Sequence, residues 1–142
     1  MRLTSFTDYG LRALMRLASA PERGFSTSEL AEEFGLSRNH LTKIVQRLAH
    51  AGIVTTRRGG EGGASLARPS DQIRLGEVVR VLERDQALVE CFSGTGDCSI
   101  DGRCALKVRL RRAEAAFLAD LDHSTLADIA LPRSEQVPEA TA

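Results

Sequence analysis

Between Ser26 and Gly52 the sequence encodes two helices separated by a single break, and no other stretch limits the possible folds so tightly. Ser26-Thr27-Ser28-Glu29 is a capping box, in which the serine oxygen accepts from the backbone N–H of the glutamate and the glutamate reaches back to the serine N–H. It opens a short helix that carries Leu30, Ala31 and Phe34 inward. Gly35-Leu36 ends that helix, Ser37 caps a longer one, and Gly52 supplies a left-handed stop. In the longer helix Leu41, Ile44, Val45 and Leu48 recur on one face, which leaves Arg38, Asn39, His40, Thr42, Lys43, Gln46 and Arg47 outward. A short helix, a tight turn and a second helix that begins with Arg, Asn and His make a helix-turn-helix.

The flanking segments complete a winged unit. A first helix begins near Thr7, places Leu11, Leu14, Met15 and Ala18 on one face, and stops before Pro21. Asp8 lies in its first turn, where free backbone N–H groups favour an acid, and Arg12 follows one turn later within ion-pair reach. After the helix-turn-helix, Ile53 to Thr56 reads as a strand, Arg57 to Gly63 as a turn, and Ala64 to Ala67 as the returning strand. Gly59, Gly60, Gly62 and Gly63 let this hairpin approach a phosphate surface, and Arg57 and Arg58 supply charge.

Leu75, Val78, Val79 and Leu82 mark a short amphipathic helix, and a long helix runs from beyond Cys104 to about Asp122. Its Leu106, Leu110, Ala113, Phe117 and Leu121 form a narrow seam with Arg109, Arg111 and Arg112 largely off it, which suggests pairing with a second copy of itself. The expected fold is mainly α with a small β-hairpin wing. It divides into a winged helix-turn-helix DNA-binding domain over 1–83, a cysteine loop over 84–104, a dimerisation helix with a short C-terminal helix over 105–130, and a polar, disordered tail over 131–142.

Charge supports the DNA reading although the formal net charge is zero. Residues 1–68 hold ten Lys or Arg against six Asp or Glu, whereas residues 69–142 hold nine against thirteen. From Arg38 to Arg68 six basic residues face one acid, Glu61, so a polyanion is attracted to this segment rather than to the molecule as a whole. The DNA-contacting set expected from these motifs is Ser37, Arg38, Asn39, His40, Thr42 and Lys43 on the helix, with Arg57, Arg58, Gly60 and Gly62 on the wing. One such unit binds weakly, so a homodimer on a pseudo-palindromic double-stranded operator is expected. No stretch has the apolar length of a membrane span, and the N-terminus lacks the apolar core of a secretory signal, which predicts a cytoplasmic protein. The three histidines are scattered at 40, 50 and 123, and no convergent acid–base set points to an enzyme.

All three cysteines, Cys91, Cys98 and Cys104, fall in one stretch rich in Gly, Ser and Asp. A reducing cytosol and an odd thiol count favour a metal or an iron–sulfur cluster over disulfides. Three thiolates do not complete a tetrahedral zinc site or a four-iron cluster. Asp8, Asp97, Asp101, a distant His or an external ligand are the candidates for the fourth position; zinc and inert thiols are the plainer alternatives.

The opening Leu-Thr-Ser-Phe-Thr-Asp-Tyr-Gly-Leu-Arg-Ala-Leu, the segment Leu36 to His40, the Arg-Gly-Gly-Glu-Gly-Gly wing and the three-cysteine loop together resemble the NsrR family. These are nitric-oxide-sensing repressors within a winged-helix group that also includes IscR-like regulators. The resemblance spans roughly residues 1–130. It implies a homodimeric repressor that holds one [4Fe-4S] cluster per protomer through Cys91, Cys98 and Cys104, with Asp8 of the partner subunit as fourth ligand. Nitrosylation would then release operator DNA, with Arg12 as a switch residue that takes up the freed Asp8. IscR-like proteins carry a histidine three positions after the last cysteine; here that position is Lys107. The alternatives are an iron–sulfur supply or redox regulator of IscR type and a zinc-stabilised winged-helix DNA-binding protein.

Overall fold

The computed structural model describes residues 2–59 and 63–132, so Gly60 and Gly62 of the expected wing contacts and most of the expected tail lie outside the described residues. Helix α1 spans Ser5–Ser19 and starts two residues before the expected Thr7. Thr4 is the cap, its Oγ1 accepting from the Thr7 N–H at 3.3 Å. Thr7 is thereby drawn inside and is fully buried.

Helix α2, Thr27–Phe34, carries the capping box in both directions: Glu29 N–H donates to Ser26 Oγ at 3.0 Å and Ser26 N–H to Glu29 Oε2 at 2.9 Å. Gly35 ends it at φ +65°, where its N–H and that of Leu36 satisfy the last carbonyls. Helix α3, Arg38–His50, is capped by Ser37 and buries Leu41, Ile44, Val45 and Leu48 as its periodicity predicts.

Strands β1, Val54–Arg57, and β2, Gly63–Leu66, pair antiparallel, with Val54 opposite Leu66 and Arg57 opposite Gly63. Phe25 adds a third rung by exchanging backbone bonds with Ala64 at 2.9 and 2.7 Å. Gly63 is required here for an internal reason: at φ +120° a Cβ would stand 2.5 Å from the Phe25 carbonyl oxygen.

Helix α4, Leu75–Leu82, turns Leu75, Val78 and Leu82 into the same core as α1 and α3, and Val79 is buried beside them. Leu14, Leu30, Leu41, Ile44, Leu48, Ile53, Ile73, Leu82 and Leu126 are its largest fully buried apolar side chains. Each contributes about 1.5–3 kcal/mol through burial. Gly10 sets how closely α1 lies on this layer, since a Cβ there would meet Leu82 Cδ1 at 2.5 Å and Ile44 Cγ2 at 3.4 Å.

Helix α5, Ala105–Leu121, buries none of its residues fully. The expected seam is split by the fold: Leu121 packs against the core, Leu110 and Phe117 are half-buried, and Ala113 and Leu106 are exposed, Leu106 by 64%. Its C-terminal end is fastened to α4, where Gly76 leaves room for Asp122 and Arg80 grips that carboxylate through two bonds of 2.9 and 2.7 Å.

Helix α6, Leu126–Ile129, which the sequence places with the expected dimerisation helix, is part of the N-terminal core. Leu126 is fully buried, and the strand-like segments at Arg74 and Thr125 bridge antiparallel, with Leu75 N–H donating to Ser124 O at 3.0 Å and Leu126 N–H to Ile73 O at 2.9 Å. The backbone is also tied beyond α6, since Leu131 N–H donates to Met15 O at 3.2 Å, inside the stretch from 131 onward that composition assigned to the tail.

Candidate functional site

Opposite its buried stripe, α3 presents Asn39, Lys43, Gln46 and His50, all exposed, with exposed Arg38 at its first turn. Sequence reasoning placed Gln46 outward but not in the contact set, and passed over His50; helical spacing from Asn39 and Lys43 was the signal for both. The remaining expected contacts are partly committed elsewhere. Ser37 Oγ accepts from His40 N–H at 3.1 Å, and Thr42 Oγ1 donates to the Arg38 carbonyl at 2.8 Å.

His40 does not stand outward with Arg38 and Asn39. It is half-buried against α1, its ring 6.0 Å from that of Phe6 and 5.9 Å from that of Tyr9, the latter edge-on at 82°. The ring is therefore part of the α1–α3 joint. Arg47 is similarly drawn in: its guanidinium lies 4.7 Å from the Phe6 ring centre, and it donates to Leu82 O at 3.3 Å and Asp85 Oδ2 at 2.7 Å. On the wing, Arg57 and Arg58 are exposed, whereas Arg68 is engaged by Glu77 at 2.5 Å. Exposed Asn39, Lys43, Gln46, Arg57 and Arg58 form a surface rich in donors and positive charge, able to meet phosphates and base edges.

On α1, Asp8 and Arg12 pair through two bonds, Nε to Oδ1 at 3.2 Å and Nη2 to Oδ2 at 3.0 Å, with both side chains 51% exposed. The Arg12 guanidinium also lies 5.4 Å from the centre of the Tyr9 ring. Phe6 and Tyr9 fall within the opening motif but were given no role on sequence; their i, i+3 spacing on one helix was the available hint.

The cysteine loop lies along the beginning of α5. Cys91 sits in a short 3₁₀ turn, Glu90–Phe92, and is half-buried; Cys98 is exposed; Cys104 is half-buried; all three thiols are free. Cys104 is also the N-cap of α5, its Sγ accepting from the Lys107 N–H at 3.4 Å. Lys107 Nζ meets Asp101 Oδ1 at 2.5 Å, a bond that holds the Asp101 carboxyl below its usual range and raises the lysine. Arg111 stacks over Phe92 at 4.0 Å. Among the described residues no three His, Cys, Asp or Glu side chains converge on one point. The donor types suit a thiophilic metal or cluster, and closing a coordination sphere requires the loop to gather round its ligand.

Among the described residues no helix is long and apolar enough to cross a membrane. A family model described as an iron-dependent transcriptional regulator, Rrf2, matches residues 3–131. Among solved structures the chain is similar to the oxidised form of CymR from Staphylococcus aureus, at 29% identity and TM-score 0.72 over 94% of this chain and 99% of that one. It is similar to CymR (YrzC), described as the global cysteine regulator of B. subtilis, at 30% identity and TM-score 0.73 over 92% and 96%. It is also similar to T. potens IscR at 29% identity and TM-score 0.70, over 91% of this chain and 85% of that one. The winged helix-turn-helix and a match over almost the whole chain place it plainly: the chain belongs to the Rrf2 family of DNA-binding transcriptional regulators.

Proposed function

We propose that this regulator is a homodimeric repressor that responds to nitric oxide through a [4Fe-4S] cluster, one per protomer, held by Cys91, Cys98 and Cys104 and by Asp8 of the partner subunit. The observation that carries this reading is the pairing of Lys107 with Asp101, since it occupies the residues three positions to either side of the last cysteine and leaves the fourth position to Asp97 or to a group from outside the loop. Asp8 is such a group, half-exposed on α1. A carboxylate is a harder and more weakly held ligand of iron than a thiolate. When bound, the cluster supplies an iron open to nitric oxide.

The protein's own part is competitive. Arg12 already binds Asp8 through two bonds, so whatever takes Asp8 displaces a guanidinium, and whatever releases it lets that pair re-form. Leu106 and Val108, exposed by 64% and 59% on α5, favour a helix paired with its own copy over one left in solvent.

The likeness to CymR and IscR favours a second reading, a related thiol or iron–sulfur supply regulator with the same DNA-binding head. An anaerobic nitric oxide titration, followed at once by absorbance and by operator mobility shift, separates the two. Loss of the thiolate-to-iron bands together with operator release supports nitric oxide sensing. Brown protein that keeps its operator supports the second reading, and colourless protein with stoichiometric zinc overturns the cluster in both.

A further inference from the structure

Asp8, the residue on which the proposed sensing depends, and His40, in the first turn of the reading helix α3, are joined by an unbroken run of contacts. Asp8 holds Arg12 in a fork of 3.2 and 3.0 Å bonds. That guanidinium lies 5.4 Å from the Tyr9 ring centre, and Tyr9 meets the His40 ring edge-on at 5.9 Å. His40 is fixed from two further sides, by the Phe6 ring at 6.0 Å and by its own backbone N–H, which donates to the Ser37 cap at 3.1 Å. Arg47, one side of whose guanidinium faces Phe6 at 4.7 Å, pins the same cluster to α4 through Asp85 and Leu82. Gly10, beside Tyr9, brings the α1 backbone close onto Ile44 and Leu82, so this joint has little slack.

From this geometry we propose that Tyr9 and His40 are positioning residues that convert the state of the Asp8 carboxylate into the orientation of the first turn of α3. The inference rests on the functional reading above in one respect, that Asp8 is the group a ligand captures. With Asp8 free, Arg12 is anchored and the Tyr9 ring has a cation over it. With Asp8 captured, Arg12 loses both its bonds, the cation leaves the ring, and the packing of Tyr9 against His40 resets. Cation–ring and ring–ring contacts together are of the size that gives the several-fold to roughly hundred-fold change in affinity typical of a regulated site. His40 acts through packing rather than as a base-reading donor, and neighbouring Arg38 and Asn39 are the side chains it aims.

The test uses the full-length protein and does not depend on any bound cluster. Asp8→Asn removes the charge that anchors Arg12 and keeps the side chain's size. In metal-free protein this substitution should move the His40 ring resonances, observed with isotope-labelled histidine, and alter operator affinity several-fold. In a Tyr9→Leu background neither should respond to Asp8→Asn, and Tyr9→Phe, which keeps the ring, should restore both responses. His40 resonances and affinity that respond to Asp8→Asn equally with and without the Tyr9 ring overturn the proposal, as does a wild-type background in which neither responds. If Tyr9→Leu does not fold, Arg12→Gln breaks the run one step earlier and must make Asp8→Asn silent. Failure of the wild-type protein to bind a cluster sinks the sensing reading and leaves this result standing.

Discussion

Thr4 donates twice to a single atom, its backbone N–H and its hydroxyl each lying 2.7 Å from Glu83 Oε1. The same threonine caps α1, so one residue ties the start of the first helix to the residue that ends α4. Burial alone would raise the Glu83 carboxyl; the bonds from Thr7 and Thr4 outweigh it and hold the group below its ordinary range. The folded value therefore lies under the unfolded one of about 4.3, and the stabilisation is present above that pH and fades as pH falls through the folded value. Glu83→Gln should lower Tm by a few degrees near neutral pH, and thermal melts at decreasing pH should show the gap to wild type closing below about pH 4. A gap that stays constant would mean that packing, not ionisation, is what Glu83 contributes.

At Gly76 a Cβ would stand 2.0 Å from Asp122 Oδ1 and 2.7 Å from the Leu118 carbonyl oxygen. Gly76→Ala should break the Arg80–Asp122 pair, push α5 off α4 and destabilise the protein by about 1–3 kcal/mol. At about 2–4 °C per kcal/mol, differential scanning calorimetry resolves this easily. Gly94→Ala, with nothing within 4 Å of its Cβ, carries only the strain of its φ of +78° and should shift Tm less.

Lys43 and Asn39 share the exposed face of α3 but should fail differently. Lys43→Ala should weaken binding to operator and unrelated DNA alike and flatten the salt dependence by about one phosphate contact. Asn39→Ala should cost about 1–3 kcal/mol on operator and relax preference at one base pair. Fluorescence anisotropy over a salt series, on operator and scrambled duplexes, distinguishes them.

Asp8→Ala should abolish the response of operator affinity to nitric oxide in anaerobic protein and leave each of the three thiols titratable after unfolding. An Asp8→Ala protein with wild-type operator affinity and wild-type response would remove Asp8 from the sensor.

Cys104 has a second role that Cys98 lacks, since its sulfur caps α5. Replacement of either by Ala should remove bound iron, but only Cys104→Ala should also lower helix content or Tm in metal-free protein, by the roughly 1 kcal/mol of a lost cap. Circular dichroism with parallel iron analysis reads both effects.

The elements written in local chemistry were legible before any coordinates. Ser26, Ser37, Gly35 and Gly52 each act within their own turn, and the α2–α3 unit follows from them. Thr4 was missed because its partner Glu83 lies 79 residues away. His40 was misplaced for a related reason: periodicity tells which side of α3 is apolar, but not that Phe6 and Tyr9 arrive at its flank. The α5 seam was read as one stripe, and the fold divides it between the core at Leu121 and solvent at Leu106. For the cysteines, spacing identified three thiol donors in one loop, and among the described residues no three metal-binding side chains converge.

Because α6 returns to the layer that α4 leaves, the cysteine loop and α5 form a span moored at both ends, at Leu82 and at Leu126, each almost wholly buried. A lever hinged at one end would dissipate a pull on the loop by swinging free. A span moored at two points passes it on as tension, and its anchor at Leu82 is the same side chain that crowds Gly10 in α1. The loop's anchor and the seat of the helix that carries Asp8 thus share one side chain of the core.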